Sequence, residues 1–166
     1  MQKHVSYKAE ELVPVMLRLF AEGKKVIISA TGNSMAPLIR NGSDSIVLAA
    51  YGGEKLSVGD IIFYKRSDGR YVLHRIIDKT SNGSFITLGD NQTKGEETVS
   101  PKDIIALPVS VIRDEKELSL NSKRYGFYTT LWGKKSVLRW IHIQYFKFRI
   151  KLSRFLKKLY NSSCRI

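Results

Sequence analysis

Between residues 26 and 112 the chain never sustains an apolar pattern long enough for a helix of ordinary length. Short β-branched or aromatic runs, at residues 26–30, 45–49, 61–65, 71–78, 85–88 and 104–112, alternate instead with clusters of Gly, Asn, Ser and Asp. Short runs bounded by turn formers can bury their side chains only when laid beside one another, so the pattern predicts a mainly β, antiparallel domain with tight connections. One helix is expected ahead of it, over residues 8–22. There Leu12, Met16, Leu19 and Phe20 form an apolar stripe, Gly23 offers a C-terminal stop, and Pro14 falls near the first turn, where a missing N–H is tolerated.

A length of 166 residues gives room for one domain with a real core plus extensions. Hydrophobic and charged fractions of 43% and 26% are those of globular chains and exclude global disorder. The net charge of +13 suggests a polyanion partner until it is located along the chain. Residues 1–117 carry 16 Lys and Arg against 15 acidic residues, whereas residues 118–166 carry 12 basic residues and no acidic one. The basicity belongs to an appendage. The expected division is a helical extension at 1–25, the β domain at 26–117 and a basic extension at 118–166.

Within that extension, residues 134–160 place Val137, Leu138, Ile141, Tyr145, Phe148, Leu152, Phe155, Leu156 and Leu159 at helical spacing, interleaved with Arg139, Lys147, Lys151, Arg154, Lys157 and Lys158. Two readings of this basic amphipathic helix stay open. It lies in the interface of an anionic membrane, or it packs its apolar face on the domain or a partner. Residues 1–25 are too short for a helix-turn-helix reader, so no specific nucleic-acid partner is expected and any such contact would be electrostatic. Cys164 is the single cysteine, which excludes an internal disulfide framework and a cysteine metal cluster. The first thirty residues contain neither a spanning apolar run nor a signal-peptide core. A cytoplasmic protein is expected, with the inner face of the membrane as the surface on which the basic helix would work.

Three stretches set residues capable of chemistry at the ends of apolar strands: Gly32-Asn33-Ser34-Met35-Ala36-Pro37, Tyr71-Val72-Leu73-His74-Arg75-Ile76 and Leu88-Gly89-Asp90-Asn91. A serine hydroxyl becomes a useful nucleophile only when a base takes its proton, and a neutral imidazole such as His74 can do so. Asp90 is a candidate to hold that imidazole in one tautomer. Gly32 lets the backbone approach a substrate, and the Ser34 amide can donate to an oxyanion. Taken singly, each stretch has a plainer reading as a turn serine, a structural histidine on a strand, or a Gly-Asp-Asn turn.

Their order and company resemble the signal peptidase I superfamily, which includes bacterial and endoplasmic-reticulum signal peptidases and is related to self-cleaving repressors. Gly32 to Pro37 matches the family's Gly-x-Ser-Met-x-Pro box, Gly59-Asp60-Ile61-Ile62 its Gly-Asp-apolar strand, Val72 to Ile77 its base-bearing strand, and Gly89-Asp90-Asn91 its Gly-Asp-Asn box. The resemblance covers roughly residues 26–112. Histidine before Arg75 resembles the endoplasmic-reticulum branch rather than the lysine-dependent enzymes, and a histidine base needs no large pKa shift to be neutral near pH 7. The resemblance implies a signal-peptidase-like β domain lacking the membrane anchor before the serine box. It also implies an endopeptidase with Ser34 as nucleophile, His74 as base and Asp90 as its orienting acid, Glu96 being the second choice. Gly32, Ser34 and Met35 would line the oxyanion and substrate site, and no metal or cofactor is called for. The implied substrate is a peptide or leader precursor. The alternative is a non-catalytic module of the same fold that binds peptides or membranes.

Overall fold

A computed structural model describes residues 9–122, 125, 126, 141, 143–145, 148, 149, 151 and 152. Helix α1 (Ala9–Ala21) precedes eight strands: β1 (Val26–Ser29), β2 (Ser45–Ala50), β3 (Ile61–Lys65), β4 (Tyr71–Lys79), β5 (Phe85–Leu88), β6 (Glu97–Val99), β7 (Ile104–Arg113) and β8 (Lys116–Ser119). All pair antiparallel in one sheet of order β1-β2-β7-β3-β4-β5-β6, with β8 also on β7. The mainly β expectation holds, and six strands fall within a residue or so of their expected bounds. Two strands had no periodic signal: β6 is three residues long, and β8 is polar and exposed throughout.

Alternation along the strands builds two cores. Ile61 and Phe63 of β3 join a cluster with Ile46, Leu48, Ala106 and Val111, while Ile62 and Tyr64 join another with Ile76, Phe85, Val99 and Ile104. Burial on both faces explains why β3 reads as a continuous apolar run rather than an alternating one. A register shift between Ile76 and Asp78 sets Ile76 and Ile77 both inside.

The expected domain limits need two corrections. Helix α1 is not an extension, because Val13, Met16 and Phe20 are buried in the first cluster beside Met35 and Leu48. Leu12 packs against it, Leu19 is only half-buried, and Pro14 lies inside the helix rather than at its entry. The limit at residue 117 cuts through β8, and Leu120 beyond it is buried in the same cluster. The expected helix over 134–160 falls largely outside the described residues; those described within it are helical. No helix among the described residues is long and apolar enough to cross a membrane.

The long β1–β2 connection is fastened by a buried carboxylate. Asp44 receives Arg113 at 2.6 Å and the Arg40 amide at 2.8 Å, and Ala30 donates to its carbonyl at 3.0 Å. Burial would raise the Asp44 pKa, but the Arg113 and Arg40 contacts outweigh it and hold the carboxyl below the usual Asp value. A depressed carboxyl contributes stability that is complete above the unfolded value of about 3.9 and is lost as pH falls through the folded value. Asp44→Ala is therefore expected to lower stability by about 1–3 kcal/mol at neutral pH, by loss of charge-assisted hydrogen bonds. Urea unfolding at pH 7 and in the acid range checks this: the difference between variant and parent should shrink as pH falls below about 3.9.

Candidate active site

Ser34 lies on the β1–β2 connection between a turn and an anchor. Gly32 has φ 86°, where a side chain would be strained, and its N–H donates to Asn41 Oδ1 at 3.1 Å. Met35, on the other side, is 4% exposed and belongs to the first core cluster. The serine so held lines a cleft of about 140 Å³ with Ile28, Ala30, Phe63 and Leu73. Gly32 and Met35 line the same cleft. The Ser34 amide N–H enters no hydrogen bond among the described residues, which leaves it available to an oxyanion. Residues 71–73 pair with β3 but have no β5 partner, so among the described residues the strand edge beside the cleft is unpaired.

The turn after β5 seats this loop. Asn91 donates its backbone N–H to the Ser34 carbonyl at 2.7 Å and its side-chain amide to the Asn33 carbonyl at 3.1 Å. A Cβ placed on Gly89 would stand 2.7 Å from the Ser34 carbonyl oxygen and 3.0 Å from Ser34 Cβ, so only glycine permits the approach. Strands β4 and β5 pair Arg75 with Leu88, and one further step in that register sets Gly89 beside His74. The serine box and the Gly-Asp-Asn turn are thus in contact, and Leu73 of the third stretch lines the Ser34 cleft, but His74 does not line it and no hydrogen bond joins Ser34 to His74 among the described residues. Contacts between nucleophile and base commonly tighten only on substrate binding.

His74 is 4% exposed, and its Nδ1 lies 3.3 Å from Tyr64 Oη. Burial lowers its pKa below the usual imidazole value; the Glu97 carboxylate opposes this, Arg66 adds to it, and Asp90 opposes it more weakly. Asn91 Oδ1 is the sole buried polar side-chain atom without a partner among the described residues.

The expected contact of Asp90 with His74 needs correction. Both Asp90 oxygens are taken by Arg75, at 2.7 Å from Nε and 2.6 Å from a terminal nitrogen. Arg75 also donates to the Gly59 carbonyl at 2.6 Å and to Tyr125 Oη at 2.9 Å. The reason is strand alternation: Arg75 follows His74 and must point to the other face, and its buried guanidinium requires a carboxylate there. Glu96, the second choice, is exposed. Sequence reasoning missed the group that does meet His74, Tyr64, and the carboxylate behind it, Glu97. Among the described residues no group of three or more His, Cys, Asp or Glu side chains comes together to hold a metal ion.

No protein-family model matches the chain, and no curated protein matches it significantly.

The side chains of Arg75 and Asp90 are 2% and 1% exposed, so removing one partner leaves a buried charge unpaired. Asp90→Ala is expected to cost about 3–5 kcal/mol in urea unfolding. The double substitution Arg75→Met with Asp90→Leu should recover most of that loss, since a packed apolar pair of similar volume is often neutral. An Asp90→Ala protein as stable as its parent would show that the pair does not hold the turn.

Proposed function

We propose that the chain is a serine endopeptidase resembling signal peptidases, with Ser34 as nucleophile and His74 as general base. The observation that carries this reading is the seating of Ser34 in a cleft beside residues 71–73 of β4 and against the Gly89–Asn91 turn. In the first half-reaction Ser34 Oγ attacks the scissile carbonyl while His74 Nε2 takes its proton. The Ser34 N–H faces the developing oxyanion. Collapse of the tetrahedral intermediate breaks the C–N bond, and His74 returns the proton to the leaving amine. Water, deprotonated by the same nitrogen, then releases the acyl group. The open edge of β4 suits an extended peptide or leader precursor, whose backbone can pair with it.

A surface location for this chemistry is favoured by the C-terminal helix. Ile141, Tyr145, Phe148 and Leu152, which the helical spacing of the sequence assigns to one face, are all exposed, while Ile143 is buried. An exposed aromatic and aliphatic stripe amid basic residues fits an anionic bilayer interface.

Labelling of the full chain with a fluorophosphonate probe, followed by peptide mapping, should place the adduct on Ser34, and Ser34→Ala should abolish it. His74→Ala should slow labelling by about 10²–10⁴-fold, the usual contribution of a general base. Failure of any active-serine probe to modify Ser34 would support the alternative, a non-catalytic binding module. Because only neutral imidazole accepts the proton, labelling should fall as pH drops through the His74 pKa. Burial sets that limb below the ordinary value of about 6.5. In flotation with phosphatidylglycerol vesicles the full chain should rise with the lipid, and Tyr145→Ser with Phe148→Ser should leave it at the bottom of the gradient.

A further inference from the structure

One phenol sits between the buried imidazole and the nearest carboxylate. Tyr64 Oη is 3.3 Å from His74 Nδ1, 2.7 Å from Glu97 Oε2 and 2.9 Å from Thr87 Oγ1. Glu97 is in turn held by Arg66 at 2.7 Å. Strands β3, β4, β5 and β6 each supply one member, and Tyr64 and Thr87 are buried in the second cluster's layer.

A phenol has one proton to give and two lone pairs to receive with. Its shortest contact is to a carboxylate, which only accepts, so the proton points at Glu97. Burial, together with Glu97, raises the Tyr64 pKa and keeps that proton in place through neutral pH. Toward His74 and Thr87 the oxygen can then only accept. Thr87 can supply its hydroxyl proton, and His74 must supply a ring N–H from Nδ1.

We infer that Tyr64 and Glu97 are the positioning residues of His74, a Glu–Tyr–His relay that fixes the Nδ1–H tautomer and leaves Nε2 as the basic nitrogen. The inference deepens the endopeptidase reading and rests on it for its catalytic meaning. When Nε2 takes the serine proton, no proton moves along the relay. The imidazolium keeps its Nδ1–H on the Tyr64 oxygen, whose negative end is strengthened by the Glu97 carboxylate. The groups that face His74 electrostatically are Glu97, Arg66 and Asp90, and Asp90 is neutralised by its own arginine. Glu97 is therefore the carboxylate whose removal His74 should feel most.

The decisive experiment is long-range ¹H–¹⁵N correlation NMR of the histidine-labelled full chain, with His74 assigned by His74→Gln. The neutral His74 ring should show nitrogen shifts of the Nδ1–H tautomer. Tyr64→Phe, which removes only the hydroxyl, should convert it to the Nε2–H form or a mixture. Glu97→Gln should lower the His74 pKa, and in the labelling assay both variants should slow the reaction at saturating probe by about 10–100-fold. An Nε2–H ring in the parent would overturn the relay, as would a tautomer and pKa that both variants leave unchanged. A parent that has the Nδ1–H ring but never reacts at Ser34 would sink the endopeptidase reading and leave the relay standing.

Discussion

The pairing of Arg75 with Asp90 determines where the candidate site can be. Taking both charges out of water is costly, and it is tolerated because the guanidinium spends its donors on two carboxylate oxygens, the Gly59 carbonyl and the Tyr125 hydroxyl. The pair fixes the chain just past β5 to the middle of β4. Gly89 and Asn91 flank Asp90 directly, and they seat the Ser34 loop. The Ser34 loop is thus located by a charge pair whose arginine is the immediate neighbour of His74.

The opposite end of the same loop uses the same device. Asp44, fully buried, gathers Arg113, the Arg40 amide and, through its carbonyl, Ala30. Between β1 and Asp44 the segment has little regular structure, and Met35 and Ile39 are its main apolar anchors. Hydrophobic burial fixes how deep such a segment sits but is poor at fixing its rotation. Directional bonds to buried charges can supply that rotation.

How much of this was legible depended on whether the signal was local. The strands were readable because β-branched runs and turn clusters are local features. The hairpin from β3 to β4 held more than was taken from it. Asp68-Gly69 closes a tight turn, with Arg66 donating to the Arg70 carbonyl, and this sets Lys65 opposite Tyr71. Counting back from that turn places Ile62 opposite His74, with Tyr64 on the same face and one diagonal step away. The Tyr64 contact was therefore available from the hairpin alone. The same alternation shows that Arg75 cannot share a face with His74, which was the clue that Asp90 had another use. Glu97 was not legible, because β6 is too short to carry a period and reaches Tyr64 only through pairing with β5.

Met35 carries a consequence of its own. It stands next to Ser34 in sequence and shares a single packed cluster with Met16 and Phe20 of α1. Close-packed interiors transmit displacement rather than absorb it. Helix α1 turns Val15 and Leu17 outward on either side of the buried Met16, so the cluster that holds Met35 is roofed by one amphipathic helix. A change in the packing of α1 would therefore reach the residue beside Ser34 by way of one methionine.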